Sequence, residues 1–206
     1  ENDNIKPYTT ATAHKAVWIW DIPLTTRRGT GFVYASKYMS DEEALTSYAE
    51  YLNIDKSTFS PRKLSMDIGY REKFWHKNCV AIGLSAGFLE PLESTSLHLI
   101  QRAIMRLISH FPNKHCDEIN AKQFNNLTTV EYEHIRDFII LHYKATQRDD
   151  SEFWRYCQNL KVSDRLQAKM ALYQGNGHIY RENNELFNET SWLAVMHGQG
   201  LQPKGY

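Results

Sequence analysis

Two carboxylates and a run of small hydroxyl residues stand directly before an amphipathic helix in the stretch GFLEPLESTSLHLIQRAIMRL, residues 87–107. Glu90 and Glu93 bracket a Pro-Leu pair, and apolar side chains then recur at helical spacing. The pattern predicts a helix over about 94–110, which Phe111-Pro112 stops. A helix N-terminus presents unpaired backbone N–H groups and the positive end of the dipole. It can therefore bind an anion, with the Glu93 carboxylate beside it.

Gly83 and Gly87 lie between the strand-like segment CVAIGL and this helix, and glycine lets other groups approach the backbone closely. A strand, a glycine loop and a helix N-terminus together could hold a flavin ring edge, a phosphate or a halide. The alternative is purely structural. Ser94 or Thr95 would then be the N-cap, and Glu93 an acid that favours the helix dipole. Periodicity alone favours this alternative, because such caps are ordinary.

The first 90 residues predict a strand-rich segment. VWIWDIPL, residues 17–24, alternates aromatic and aliphatic side chains, which predicts a buried strand that Pro23 ends. The turn-like TTRRGTG then leads into a second strand, so that the two form a hairpin. Ser40 before DEEALTSYAEYL predicts the N-cap of a helix. The second strand of this hairpin spans 31–36, and further strands are predicted over 64–70 and 78–84.

Residues 91–206 predict a mainly helical segment. Thr129 with the acids that follow it is typical of a capped helix start, and a long apolar stripe follows. The further helices predicted are about 151–160, 163–173 and 185–195. A strand-rich segment over 1–90 followed by a helical one over 91–206 indicates the α+β class.

Composition excludes several classes of function. The 206 residues carry 24 Lys+Arg and 24 Asp+Glu, so electrostatic binding to nucleic acid or to an anionic membrane is not expected. No apolar run reaches the roughly 18 residues of a membrane span, and the first residues do not form a signal peptide. Three scattered cysteines (Cys79, Cys116, Cys157) favour reduced thiols in the cytoplasm. His110, His115 and Cys116 lack a second pair at ligand spacing, so no metal site is predicted.

Two long motifs, in this order, resemble those of the flavin-dependent halogenases of the tryptophan halogenase family. Trp18, Trp20, Ile22 and Pro23 match W-x-W-x-I-P, and GLSAGFLEPLESTS matches the loop before the helix. RRGTGFVYAS, LHLIQRAI, DFIILHYKAT, SEFWRYC and HGQGLQP also follow the family pattern, so the resemblance covers essentially the whole chain. It implies part of a flavin-monooxygenase-like substrate sheet. It also implies reduced FAD (FADH2), O2 and chloride or bromide as reactants. These form hypohalous acid, which attacks an electron-rich aromatic ring.

The resemblance implies a role for each matching residue. Glu93 is the catalytic carboxylate that stabilises the cationic ring or takes its proton, and Ser94 links the flavin and substrate sites. Thr95 and Ser96 offer N–H groups to the halide, with Ser96 where relatives have glycine. Val17 also stands where glycine is usual. The residues implied at the cofactor are Gly83, Gly87, Trp18, Trp20, Ile22 and Pro23. Two strand tryptophans are also typical of an ordinary core.

The substrate is the part where the sequence departs from the tryptophan-specific members. Those members hold the amino acid with a Tyr-Tyr pair and a downstream glutamate, and hold the indole with a Phe-Trp pair. His142-Tyr143 stands at the first pair and Phe153-Trp154 at the second, while the glutamate falls near Asp149-Asp150. The resemblance therefore implies tryptophan, free indole, a phenolic or a peptide-borne aromatic as substrate. Helix core and a solvated helix start are the structural alternatives for the second pair and the acids.

Two parts of the family's machinery are missing from the sequence. The G-x-G-x-x-G dinucleotide fold and the catalytic lysine precede the tryptophan motif in the family, and Lys15 does not replace that lysine by position. We therefore expect a C-terminal fragment that is inactive alone. For the intact protein, the resemblance implies a separate flavin reductase that supplies reduced FAD by diffusion and a small aromatic substrate. It leaves a homodimer open.

Two other functions stay open at this point. A flavin monooxygenase of the same superfamily would hydroxylate its substrate, but it would be expected to let that substrate reach the flavin directly. The two tryptophans and the PLES glutamate argue against it. A non-catalytic relative could bind an aromatic ligand without turnover, and loss of the upstream lysine from the full gene would favour that function.

Overall fold

The computed structural model describes residues 6–114, 118–183 and 185–205. The strands in this part of the chain are β1 (Thr10–His14), β2 (Val17–Pro23), β3 (Arg28–Tyr34), β4 (Gly69–Tyr70), β5 (Trp75–His76), β6 (Cys79–Val80) and β7 (Gly87–Phe88). The helices are α1 (Asp41–Leu52), α2 (Ser96–Ser109), α3 (Glu118–Lys144), α4 (Glu152–Gln158), α5 (Asp164–Asn176) and α6 (Glu189–Gly198). Apart from α1, which lies between β3 and β4, the strands come first and the helices follow, which is α+β content.

The chain forms two compact units. The strand unit is the described part of Glu1–Leu64 together with Thr146–Leu160, and the helical unit is the described part of Ser65–Ala145 and Lys161–Tyr206. This division does not follow the boundary at residue 90. In the strand unit, the indole Nε1 of Trp154 on α4 donates to the carbonyl of His14, 2.7 Å away. A segment far along the sequence therefore belongs with the first strands.

The strand unit is built on an antiparallel sheet with the order β1-β2-β3. The β2–β3 hairpin confirms the prediction, with Ile19, fully buried, opposite Phe32. The sheet extends beyond the prediction on both sides. The second strand begins at Arg28, inside the predicted turn, because the guanidinium of Arg28 pairs with Asp21 across the hairpin at 2.7 Å. The strand β1, which pairs with β2, was not predicted, because TATAH alternates too weakly to be recognised as a strand.

Val17 stands where the halogenases that the sequence resembles usually have glycine, and its backbone conformation explains why glycine is usual there. Its φ is 136°, a value that β-branched residues strongly disfavour. The side chain is nevertheless buried, at 6% exposure. Burial and backbone strain therefore oppose each other at this position.

We expect Val17→Gly to destabilise the protein much less than Val33→Gly, its matched control on β3. Both valines are buried, but of the two only Val17 has a positive φ. Loss of a buried valine and gain of a strand glycine cost about 2–4 kcal/mol. At Val17 the release of strain offsets about 1–3 kcal/mol of that cost. Thermal unfolding of the two full-length variants checks this, and equal losses would show that Val17 is unstrained.

The first helix has the start that the sequence predicts. The backbone N–H of Glu43 donates to Ser40 Oγ at 3.3 Å, and the N–H of Ser40 donates to Glu43 Oε2 at 2.8 Å. This reciprocal pair is a capping box, which satisfies two N–H groups that the helix leaves free. The helix ends at Asn53, which takes the left-handed conformation that closes helix C-termini.

The helical unit is organised around α3, which spans 27 residues. The predicted helix start at Thr129 is wrong, because the helix runs through that position from Glu118. The polar NNLTT segment looks like a break in the sequence. Within the helix, however, the Thr128 hydroxyl donates to the carbonyl of Phe124 at 2.7 Å, so its polar group is satisfied without a helix end.

The strands predicted over 64–70 and 78–84 are largely wrong. Only the two-residue strands β4 and β6 form there, and Gly83–Ser85 is a 3₁₀ turn. Side-chain hydrogen bonds replace a longer ladder. The N–H of Trp75 donates to Asn125 Oδ1 at 2.7 Å, and Asn125 Nδ2 donates to the carbonyl of Trp75 at 2.9 Å. Short strand pairs and the contact of Trp75 with Asn125 on α3 therefore order this segment together.

A buried polar network joins α2 to α3. Arg106 Nη2 lies 2.8 Å from Glu131 Oε2, and Arg106 Nη1 donates to Thr128 Oγ1 at 2.9 Å. All three residues are less than 9% exposed. Such a network requires correct geometry, since each member would be costly to bury alone. It holds α2 in a defined position on α3, and with it the loop that precedes α2.

Two properties bear on the predictions from composition. None of the helices in the described ranges combines the length and apolarity that a membrane span requires. Cys79 is exposed and Cys157 is buried. Cys116 lies outside the described residues.

Candidate active site

The loop before α2 places two residues in the left-handed region. Glu93 has φ 68° and ψ 0°, and Ser94 has φ 52°. A non-glycine residue in this region is strained, and such strain clusters at functional sites. The predicted helix start at Ser94 is therefore wrong, because the helix begins only at Ser96. The N–H of Ser94 instead donates to the carbonyl of Pro91 at 3.0 Å, which closes a separate turn.

The N-terminus of α2 has no side-chain cap. Thr95 occupies the N-cap position with φ −74° and ψ −11°, and its hydroxyl accepts no hydrogen bond from the first turn. Thr95 is thus the N-cap residue, one of the two that the structural alternative names, but its hydroxyl does not bond the first turn. Thr95 is buried and Ser96 is half-buried. An uncapped helix start beside a carboxylate-bearing loop is a suitable place for a small anion.

Glu93 contacts α3 through His142. His142 Nε2 lies 3.1 Å from Glu93 Oε1, and the other ring nitrogen, Nδ1, lies 2.9 Å from the carbonyl oxygen of Phe138. The side chain of His142 is 16% exposed and that of Glu93 is 34% exposed. Both ring nitrogens of His142 therefore have partners within the protein, and the Glu93 carboxylate keeps access to solvent.

The other carboxylate of the loop contacts the next residue of α3. The Tyr143 hydroxyl lies 2.8 Å from Glu90 Oε1 and 2.9 Å from Oε2. Glu90 and Glu93 thus engage Tyr143 and His142 as two neighbouring pairs. The sequence predicts His142 and Tyr143 as substrate ligands but gives no sign of these contacts with the two glutamates. They join residues 49 and 53 positions apart, and no local pattern signals them.

Both predicted glycines meet specific constraints. A side chain at Gly87 would lie 2.7 Å from the backbone Cα of Tyr70, because β4 and β7 pair closely there. Gly83 has φ +69° and faces the side chain of Ile100 on α2. Beside them, burial raises the pKa of Tyr132 to about 12, so its phenol stays neutral. The glycines therefore let the loop pack tightly ahead of α2, while contact with a cofactor stays a prediction.

The tryptophan motif lies on β2 in the strand unit. The rings of Trp18 and Trp20 are 5.9 Å apart on one face of the sheet. Trp18 is buried, and its Nε1 has no hydrogen-bond partner within the described ranges. Trp20 lies over Gly31, where an added Cβ would come within 2.0 Å of the indole. Ile22 is exposed and Pro23 half-buried at the strand end.

Phe153 and Trp154 lie at the start of α4, also in the strand unit. Both are buried, and their rings contact each other with centroids 5.0 Å apart and planes at 73°. In this arrangement no indole fits between the two rings, so they do not form a sandwich with each other. The Trp154 hydrogen bond to His14 and this edge contact support the helix-core alternative. A substrate role for either ring alone stays a prediction.

A second polar cluster lies elsewhere in the helical unit. Ligand atoms of His134, Glu182 and Glu185 lie within 4.8 Å of one another. The buried ammonium of Lys169 lies 3.0 Å from Glu185 Oε1, so a cation of the protein itself already balances this carboxylate. Among the residues considered for a metal from the sequence, His110 bonds within its own helix end through Nδ1. His115 and Cys116 lie outside the described residues.

Acid is expected to weaken this region through His134. Burial first, and then the positive charge of Arg165, lowers the pKa of His134 below its ordinary value. Below about pH 6.5, His134 binds a proton in the unfolded chain, whereas in the folded protein it stays neutral down to its lowered pKa. The stability that depends on neutral His134 is thus complete above that pH and is lost as the pH falls through the lowered pKa. We expect the melting temperature to fall less steeply with acid in His134→Gln than in wild type. Exposed His76→Gln is the control, and identical slopes in all three proteins would contradict the prediction.

Comparison with known proteins adds an independent finding. The profile of the tryptophan halogenase family matches residues 1–206. Tryptophan 7-halogenase KtzQ from Kutzneria sp. (strain 744) is 33% identical over 219 aligned positions, covering 99% of this chain and 41% of that protein. The flavin-dependent halogenase BrvH from Brevundimonas sp. BAL3 is 43% identical with a TM-score of 0.92, covering 100% of this chain and 42% of that one. A tryptophan halogenase from Shewanella frigidimarina NCIMB 400 gives a TM-score of 0.90 at 33% identity, covering 98% and 40%. The chain spans about two-fifths of the length of these relatives.

Proposed function

The chain belongs to the tryptophan halogenase family, and we propose that the full-length protein is a flavin-dependent halogenase of small electron-rich aromatic compounds. The observation that carries this proposal is the loop before α2, where strained Glu93 precedes an uncapped helix N-terminus. An anion site and a carboxylate thus lie next to each other. Aromatic halogenation needs both, one for the halide and one for the proton that leaves the ring.

The residues of this chain have defined tasks in the reaction. The N–H groups of Thr95 and Ser96 bind chloride or bromide at the start of α2. The Glu93 carboxylate faces the cationic ring and accepts its proton, and Ser94 joins the flavin and substrate sides of the loop. The strained backbone at Glu93 and Ser94 directs the Glu93 carboxylate away from the helix axis. A side chain in an ordinary first helical turn would not point in that direction.

Reduced FAD, when bound, supplies with O2 the oxidising power that converts the halide into hypohalous acid. The residues that would hold it in this chain are Gly83, Gly87, Trp18, Trp20, Ile22 and Pro23. The buried indole N–H of Trp18, which lacks an acceptor within the described ranges, fits a neighbouring cofactor. We assign the sheet β1-β2-β3 to the substrate sheet of a flavin-monooxygenase-like fold. The protein works in the cytoplasm with a separate flavin reductase.

The contacts of His142 and Tyr143 favour a substrate without an amino-acid group. Both nitrogens of His142 are engaged with Glu93 and Phe138, and the Tyr143 hydroxyl is engaged with Glu90. A substrate carboxylate or ammonium would have to break these contacts to be gripped here, which costs free energy. Free indole or a phenol makes no such demand. We therefore propose that these compounds are preferred to tryptophan.

A competition experiment tests the proposal. The full-length protein is supplied with a flavin reductase, FAD, NADH and bromide, together with equal amounts of indole and tryptophan, and products are identified by mass spectrometry. We expect bromoindole, recognised by the paired bromine isotopes, in excess over bromotryptophan. A reaction with the reductase alone controls for bromination by free peroxide. Bromotryptophan in excess would overturn the substrate preference, and the absence of any brominated indole, tryptophan or phenol would overturn the function.

A further inference from the structure

The hydrogen bonds of His142 determine where its protons lie. Nδ1 is 2.9 Å from the carbonyl oxygen of Phe138, and a carbonyl only accepts, so Nδ1 carries a hydrogen. In a neutral imidazole the other nitrogen, Nε2, is then bare. Nε2 nevertheless lies 3.1 Å from a carboxylate oxygen of Glu93, which is also only an acceptor when ionised. Two bare acceptors at this distance repel each other, so the contact requires one further proton between them.

That proton belongs on His142. Imidazole is a stronger base than a carboxylate, and the Glu93 carboxylate keeps access to water. The packing also fixes the ring, because Phe138 meets it edge to face with centroids 5.1 Å apart. The other ionisable groups nearby on the same two elements are Glu90 and Tyr143, which bond each other, and Lys144 at the end of α3. The arrangement that both contacts of His142 allow is therefore a donor at Nε2 facing an ionised Glu93.

We propose that His142 is a positioning residue for the reaction, which keeps Glu93 ionised and aimed by donating a charged hydrogen bond to Oε1. This inference rests on the proposed function. When the halogenated ring carbon loses its hydrogen, the C–H bond breaks, its electron pair returns to the ring, and the proton goes to Oε2 of Glu93. The pair then holds one proton between Nε2 and Oε1 and a second on Oε2. Release of one of these protons to water restores the starting state.

The pH dependence of turnover distinguishes this role from ordinary packing. Above the pH at which the pair loses its proton, neutral His142 and ionised Glu93 face each other as two acceptors, so wild-type turnover falls. In His142→Gln an amide N–H donates to Glu93 at every pH, so we expect this fall to disappear. In His142→Phe no donor remains, and turnover drops about 10- to 100-fold below the pH at which wild type itself loses the proton, as for loss of a hydrogen bond to a charged group. Dividing each variant's rate by the wild-type rate at the same pH removes the pH effects of the flavin and of hypobromous acid.

The control is His98→Gln, which removes another histidine–glutamate contact of the same unit. His98 Nε2 lies 3.3 Å from Glu131 Oε1, a contact in which Glu93 takes no part. We expect its pH profile to keep the wild-type shape. A wild-type alkaline fall in His142→Gln, or full activity in His142→Phe, would overturn the proposal.

A measurement without turnover separates this inference from the proposed function. Nitrogen NMR of histidine-labelled full-length protein reports directly which ring nitrogens of His142 carry hydrogen. We expect both to carry one at neutral pH in wild type, and Nε2 to be bare in Glu93→Gln. A bare Nε2 in wild type at neutral pH would overturn the inference even if the protein halogenates indole. If no halogenated product forms but both nitrogens are protonated, the pair stands and the proposed function fails.

Discussion

Glu93→Gln is expected to lower the rate of aromatic halogenation by about 10²–10⁴-fold, the usual contribution of a positioned general base. The amide keeps the size of the side chain but can neither take the ring proton nor stabilise the positive charge as a carboxylate does. Binding of FAD should be unchanged, because the backbone of the loop is unaltered. Steady-state product formation from indole, together with a flavin-binding titration, measures both quantities.

The control for this prediction lies three residues away. Glu90→Gln also replaces a carboxylate of the same loop, but its amide oxygen can still accept from Tyr143. We expect this variant to lose far less activity than Glu93→Gln. If Glu93→Gln turned over like wild type, Glu93 would be a loop residue without a chemical role, and the strain at its backbone would need another explanation.

Lys169→Met is expected to destabilise the helical unit by about 3–5 kcal/mol, as for removal of one partner of a buried ion pair. Lys169 and Glu185 are only 4% and 3% exposed. The ammonium also donates to the carbonyl of Tyr180 at 2.8 Å and lies 4.7 Å from the ring centre of Trp192. Without it, the Glu185 carboxylate keeps its cost of burial but loses its counter-charge.

A double-mutant cycle identifies the cause of this loss. Lys169→Met combined with Glu185→Leu removes both charges, so we expect the double variant to be more stable than Lys169→Met alone. The control is Lys63→Met, which breaks an exposed ion pair with Asp41 and should leave the melting temperature unchanged. Thermal and urea unfolding measure all the variants. A loss in the double variant as large as in Lys169→Met would show that packing, not the uncompensated charge, causes it.

Local signals predicted the elements that depend on local interactions. The alternation in VWIWDIPL and the Ser40 capping box each act within a few residues, and both formed as expected. The strands predicted over 64–70 and 78–84 formed only as two-residue strands, and Trp75 between them bonds to Asn125 of α3, a partner far along the sequence. The late start predicted at Thr129 was wrong because packing of one face carries α3 through a polar segment, from Glu118 onward.

The candidate site was only partly predictable. The spacing of Glu90 and Glu93 before a helix singled out this loop as a candidate, because helix N-termini attract anions irrespective of the rest of the fold. The left-handed conformation of Glu93 and Ser94 was not predictable, since neither residue type favours it. The pairing of Glu93 with His142 depends on the way in which α2 packs on α3, through the buried Arg106–Glu131 pair. No pattern within a short window contains that information.

The central claim is that the loop at Glu93 serves halide-dependent chemistry on an aromatic ring. The most direct test is to measure the products formed from indole by the full-length protein, with its reductase and FAD, as bromide is raised from zero. The account predicts a bromoindole signal that is absent without bromide, saturates as bromide increases, and is nearly lost in Glu93→Gln. An oxygenated indole formed at the same rate with and without bromide would contradict it and would identify a monooxygenase instead.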